Sequence, residues 1–233
     1  MNYKHKYPKF QNVYLPRGAQ QANANQTQLS FYGKYGKRLF DITLALLLLP
    51  VVLPLMLIIA VSMAYTGKVI YAQNRVGRGS KKFKIYKFRT MRIDAEEYLS
   101  ELCNTNLEIA REWELNQSLA QDPRITKLGG FLRRTKLDEL PQILNVLAGD
   151  MSFVGPRPFL DTQSQLYNSQ VDASAYYLLR PGITGPWQID SKRDQKFIQR
   201  IVYDNEYLEN CNFLSDVIII LKTAILPLKG LFT

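Results

Sequence analysis

The sequence predicts a predominantly α fold with a small β element, in which a re-entrant membrane helix hairpin is joined to a compact cytosolic domain. Three observations predict it. Ile42 to Gly67 runs for 26 positions without a charged residue. A basic stretch mixed with aromatic and β-branched residues, KKFKIYKFRTM at Lys81–Met91, follows. Beyond it, apolar residues recur at helical spacing, punctuated by Pro and Gly.

In chain order, residues 1–33 read as a polar, flexible arm. The run GAQQANANQTQ lacks periodicity, and no apolar stretch of the kind a signal peptide needs follows the first basic residues. Residues 34–67 form the membrane helix. Twenty-six helical residues are about 39 Å long, against a hydrocarbon core of about 30 Å. Pro50 and Pro54 lie near the middle; each lacks an N–H and clashes with the carbonyl four residues back, so the helix bends or breaks there. Both flanks are basic: Lys34, Lys37 and Arg38 before, Lys68, Arg75, Arg78, Lys81 and Lys82 after. Charge of this kind favours the cytoplasmic side for both ends, which a hairpin satisfies. A kinked span and a buried helix of a soluble core are the competing readings.

Residues 68–233 make up the compact domain. A turn is expected at Asn74–Gly79, then a strand or hairpin whose alternation slips near Tyr86. Arg75 to Arg92 holds eight Lys/Arg and no acid. Asp94 to Gln121 is expected as one amphipathic helix with Tyr98, Leu99, Leu102, Ile109 and Trp113 on its inner stripe. Phe131 to Val146 is helical despite Pro141, Gly149 to Pro158 is a loop, and Pro181 to Gly185 is a turn. Phe213 to Leu228 is a last apolar helix carrying Asp216 and Lys222.

The composition narrows the chemistry. At 46% hydrophobic residues the 233-residue chain buries a sizeable core. His5 is the only histidine and Cys103 and Cys211 the only cysteines, which excludes a disulfide framework, histidine-based hydrolysis and histidine- or cysteine-rich metal sites. Any catalysis must rest on carboxylates and basic side chains, with or without an oxygen-ligated cation. Asp138 and Glu139 are adjacent, so on a helix they point about 100° apart and take separate roles. Thr135 three residues before Asp138 suits a capping box; Pro141 suggests a rival helix start just after Leu140. Arg133, Arg134 and Lys136 crowd the same place. The bland reading is a solvated helix start with surface ion pairs. Arg157, between Pro156 and Pro158, is a rigidly presented guanidinium suited to phosphate or carboxylate, or else a structural turn. Lys87 and Arg89 are phosphate-competent or merely exposed. LRPGITGPWQ places Arg180 and Trp187 around a Pro–Gly turn and matches no known nucleotide cradle.

Together, KRLFDITLALLLLP, QNRVGRGSKKFKIYKFRTM, DPRITKLGGFLRRTKLDELPQILNVLAGDMSFVGPRP and LRPGITGPWQ resemble the bacterial sugar transferases, the monotopic phosphoglycosyl transferases acting on polyprenyl phosphate. The resemblance runs from about Tyr35 to the C-terminus. It implies a catalytic domain on the cytoplasmic face of the bacterial inner membrane. The implied reaction moves a sugar 1-phosphate from a UDP-sugar to undecaprenyl phosphate, with Mg2+, releasing UMP, at the first membrane step of exopolysaccharide or other glycoconjugate synthesis. Carried over by motif, Asp138 is the nucleophile and a Mg2+ ligand, and Glu139 its partner. Lys87, Arg133 and Arg157 hold phosphates, and Pro50 with Pro54 sets the helix break. The implied partners are the UDP-sugar, undecaprenyl phosphate and membrane lipid, without nucleic acid; a homodimer is left open. A non-catalytic, membrane-anchored basic binding module and a glycosyltransferase releasing UDP are the alternatives.

Overall fold

The computed structural model describes residues 29–64, 67–116, 119–169, 173–190 and 197–229. Most of the expected polar arm, residues 1–28, lies outside them. A π-helical turn, Tyr32–Gly36, leads into helix α1, Lys37–Met63. Pro50 and Pro54 fall inside α1, and the element continues through both, so any bend is taken up within one helix. Its buried residues are Lys37, Asp41, Ala45, Val52, Ile59 and Met63. These positions share one face, and they lie on the domain along the whole length of the helix. At the start, Asp41 Oδ1 accepts from Ser152 Oγ (2.9 Å) and Phe153 N (3.0 Å). Lys37 Nζ is buried against Asp216 Oδ2 at 2.7 Å, where Tyr32 and Tyr207 hydroxyls also donate to the carboxylate. At the end, Ile59 and Met63 pack with Phe88 and Leu132. The opposite face leaves Leu47, Val51, Leu57, Ile58 and Val61 exposed.

Of the strand or hairpin expected over Lys81–Met91, the structure has one strand, β2 (Lys82–Phe88), paired antiparallel with an upstream strand β1 (Ile70–Val76) that was not expected, in register from Ile70↔Phe88 to Val76↔Lys82. The turn between them is tighter than expected, because β1 extends through Asn74 and Arg75 and the chain reverses at Arg78–Ser80. Phe83 and Ile85 are buried, then Phe88, so the alternation does slip at Tyr86.

The single helix expected over Asp94 to Gln121 is instead two, α2 (Ala95–Thr105) and α3 (Leu107–Asn116). Asn106 divides them: its backbone is extended and its Oδ1 accepts from Glu108 N and Ile109 N, the work of an N-cap. The expected inner stripe is only half-buried. Helix α4, Lys127–Arg134, starts at Thr126, whose Oγ1 accepts from Gly129 N. A 3₁₀ turn, Leu137–Glu139, precedes α5, Gln142–Ala148, which starts behind Pro141 as the proline predicts. The capping box at Thr135 does not form. Thr135 ends α4 and donates its hydroxyl back to Phe131 O (2.9 Å), an alternative open to any Thr near a helix terminus.

Two further expectations are corrected. The loop Gly149–Pro158 contains a strand, β3 (Ser152–Val154), and the turn at Pro181–Gly185 contains β4 (Gly182–Thr184), paired to it in parallel. Gly155 and Gly182 allow this: a Cβ on either would collide with the other segment's backbone. Short helices α6 (Ser164–Asn168), α7 (Ser174–Leu178) and α8 (Pro186–Ile189) surround this pair. Helix α9 (Arg200–Asn210) and the expected apolar helix α10 (Phe213–Lys229) complete the chain. The main core gathers α1, β2, α5, β3, α7 and α9, with a cluster of Phe159, Tyr167, Tyr176 and Tyr177 at one side.

Candidate functional site

The junction between α4 and α5 collects the predicted acids. Lys136 adopts φ 60°, ψ 11°, a left-handed conformation that an L-residue with a side chain rarely takes. That reversal sends the following 3₁₀ turn inward, so Asp138 is buried although Lys136 is exposed. Burial first, and the neighbouring Glu139 charge second, push the Asp138 carboxyl above the usual aspartate range; Lys87, Arg133 and Lys136 pull the other way. Glu139 moves oppositely. Burial disfavours its charge, but Lys87 and Arg157 outweigh burial and hold it below the usual glutamate range. The two acids therefore differ, one more basic and one held ionised.

Lys87 reaches Glu139 Oε1 at 2.6 Å across a contact that is mostly closed to solvent. The register of β2 depends on Asn145, which is fully buried on α5. Its Oδ1 accepts from Tyr86 N (3.1 Å) and its Nδ2 donates to Lys84 O (2.7 Å). The side-chain amide thus stands in for a third strand on the free edge of β2. Arg133 donates from Nε to Thr90 Oγ1 (2.7 Å), just past β2. Gly129 lets α4 lie this close, since a Cβ there would collide with the Thr90 carbonyl. Arg157 is held on a loop whose neighbours are fixed: Gly182 N donates to Pro156 O (2.8 Å), and Phe159 is buried in the aromatic cluster.

The structure thus brings Asp138, Glu139, Lys87, Arg133 and Arg157 into one neighbourhood. Arg89 lies elsewhere, with Nε on Lys68 O, and Arg180 caps Gly149 O. Asn145 and Thr90 are not singled out by the sequence, which marks Lys136 only as one of the cations beside the acids. An Asn within the apolar run QILNVLA is the visible signal for Asn145; nothing local marks Thr90.

A cleft of about 330 Å³ opens beside the acids. Lys136, Glu139 and Arg157 line its charged part; Leu48 and Val52 of α1, Phe153, Ile183 and Ala224 of α10 line the rest. A site with charge at one end and an apolar trough running to the lipid-compatible helices suits an amphiphile with an anionic head. For a cation, Asp138 and the less available Glu139 are the donors; no cluster of three or more His, Cys, Asp or Glu exists among the described residues. One or two carboxylates completed by substrate phosphates and water fit Mg2+ and not zinc.

Residues 32–230 match the family model described as bacterial sugar transferase. The chain belongs to the bacterial sugar transferase family. It is 43% identical over 199 residues to the undecaprenyl-phosphate galactose phosphotransferase of Salmonella typhimurium, covering 84% of this chain and 41% of that protein. It is 39% identical over 194 residues to the exopolysaccharide production protein ExoY of Sinorhizobium fredii, covering 82% of this chain and 84% of that one. The UDP-glucose:undecaprenyl-phosphate glucose-1-phosphate transferase of Escherichia coli is 36% identical over 209 residues, 85% of this chain and 41% of that protein. This sugar transferase chain therefore spans about two fifths of several relatives and most of the length of ExoY.

Proposed function

We propose that this sugar transferase moves a sugar 1-phosphate from a UDP-sugar to undecaprenyl phosphate, through a covalent aspartyl phosphosugar, at the cytoplasmic face of the inner membrane. One observation carries the reading: a buried, unusually basic Asp138 adjoins Glu139, which pairs with Lys87 and lines, with Lys136 and Arg157, a cleft whose other walls include apolar residues of α1 and α10.

Asp138 Oδ attacks the sugar-bearing phosphorus, and the bond to the bridging oxygen breaks. The electron pair leaves with UMP. A carboxylate needs no general base to do this, and its raised basicity makes it the better nucleophile. The acyl phosphate is then attacked by an oxygen of undecaprenyl phosphate, which forms the lipid diphosphate sugar and returns the carboxylate. No net proton is consumed. Lys87, Arg133 and Arg157 neutralise the phosphoryl oxygens, and Glu139 holds Lys87 charged and in place. Asp138, with phosphate oxygens of the substrate, would hold Mg2+, which would supply further charge neutralisation when bound.

Two features support the re-entrant placement. Both ends of α1 dock on the same domain, and the exposed apolar faces of α1 and α10 (Leu47, Val61, Leu214, Leu221) offer surface to lipid. On this reading the helix dips into one leaflet and returns, and Pro50 and Pro54, both inside the continuous α1, are where it would bend to do so. Asp138→Asn is the test: purified in detergent, it should lose more than about a thousandfold in UMP release while remaining membrane-bound. Retention of most of the transfer rate refutes the nucleophile; release of UDP in place of UMP refutes the reaction.

A further inference from the structure

Three arginines converge where the reaction uses only one. Arg75 lies near the end of β1 and donates to Pro158 O (3.3 Å), next to Arg157. Arg200, at the start of α9, lies over the Trp187 ring at 4.3 Å and the Phe197 ring at 4.9 Å. Trp187 is followed by Gln188, which lines the cleft together with Arg157. The Nε atoms of Arg75 and Arg200 are both buried and have no hydrogen-bond partner. None of the five ion pairs among the described residues includes any of the three arginines.

Unpaired buried donors on cations are costly unless an anion meets them. The three charges also oppose one another: burial first, then Arg157 and Arg75, lower the proton affinity of Arg200 to about 10, and burial followed by Arg157 lowers that of Arg75. Two acids act on the group: Glu139 on Arg157, though it is engaged by Lys87 at 2.6 Å, and Asp204 on Arg200; Asp204 is buried and held by the Tyr167 hydroxyl at 2.6 Å, and burial raises its carboxyl to about 7, so it offsets Arg200 only in part. A packed fold that places three like charges together without carboxylates in contact has built a receptor for a polyanion.

We propose that Arg75 and Arg200 form, with Arg157, a second anion subsite that takes the phosphate of the departing nucleoside monophosphate. The inference rests on the proposed function, because it assigns the second phosphate of that donor. Arg157 is shared: on the cleft side it meets the transferred phosphoryl group, and on the other side it joins the pair that meets the leaving phosphate. As the bridging bond breaks, negative charge builds on that phosphate, and two further guanidiniums stabilise it there.

The test is equilibrium binding of UMP to the full-length protein in detergent, with inorganic phosphate as competitor. Arg75→Gln and Arg200→Gln should each weaken UMP binding by about tenfold to a hundredfold, the worth of one charge-assisted contact. Arg200→Lys keeps the charge and loses the planar fork, so it should fall between. Competition by inorganic phosphate places the affinity in the phosphate; its failure to compete while UMP binds places it in the base and overturns the assignment. UMP affinity within twofold of the parent in all three variants also overturns it, as does a parent that does not bind UMP. Donor cleavage is scored separately. Arginine-dependent UMP binding in a protein that releases UDP would leave this subsite standing and remove the proposed reaction.

Discussion

Asn145→Ala is the most informative single change, because one side chain connects the stability of the domain to the geometry of the site. The substitution deletes two hydrogen bonds, to Tyr86 N at 3.1 Å and Lys84 O at 2.7 Å, in a place with no solvent exposure. Both β2 groups are left facing a methyl. Each unsatisfied buried backbone group costs about 1–3 kcal/mol, so the loss is about 3 kcal/mol. For a chain of this size that lowers the melting temperature by about 6–12 °C. The loss of activity should exceed what unfolding explains: below the transition, β2 is no longer pinned to α5, and Lys87 no longer meets Glu139 at 2.6 Å. Asn145→Asp retains the acceptor for Tyr86 N but opposes the Lys84 carbonyl with a second acceptor, and should rescue little. Thermal melts in detergent and UMP release well below the midpoint measure the two effects. An alanine variant that melts within about 1 °C of the parent refutes the edge-clamp argument. One that melts lower yet turns over normally refutes the link from clamp to Lys87.

Glu139→Gln removes one of the two influences that raise Asp138, so the acid limb of kcat/KM, which in the parent lies above the ordinary aspartate range, should move to lower pH. Rate falls on that limb because protonated Asp138 cannot attack; a limb that stays put or moves up contradicts the coupling. Lys37→Met leaves the Asp216 carboxylate buried without its cation and should destabilise the protein by about 3–5 kcal/mol, with Lys37→Met/Asp216→Leu recovering most of it in chemical denaturation. Lys136→Gly relieves a left-handed backbone and should leave stability unchanged or raise it by about 1 kcal/mol, while removing a cation from the cleft and lowering the transfer rate. A lower melting temperature would show that the Lys136 side chain, and not its conformation, holds the turn.

What the sequence disclosed depended on whether the signal was local. Pro141 marked the start of α5, the alternation of KFKIYKF marked β2 together with its slip, and the uncharged run marked α1. Motif resemblance supplied the five site residues, and the fold places them together. Asn106 split a helix that periodicity alone presents as continuous, because apolar spacing carries through a single capping residue. Thr135 offered the same sequence signal for capping forward and for bonding backward, and only packing chose between them. The parallel pair β3–β4 was illegible: three residues carry no period, and their partner lies far along the chain. The Asn145 clamp is likewise a product of tertiary contact: the apolar run QILNVLA shows the Asn but not its partners on β2.

The docking of α1 along its full length has a consequence for the surrounding bilayer. A free anchor adapts to a thicker or thinner membrane by tilting on its own tether. Here Asp41 is fastened to Ser152 at one end, and Met63 is packed against Phe88 and Leu132 at the other. On the re-entrant reading, independent tilt is forbidden, and a change in lipid chain length must raise, lower or rock the whole enzyme with its acceptor trough. Turnover in vesicles of graded acyl length would then pass through an optimum.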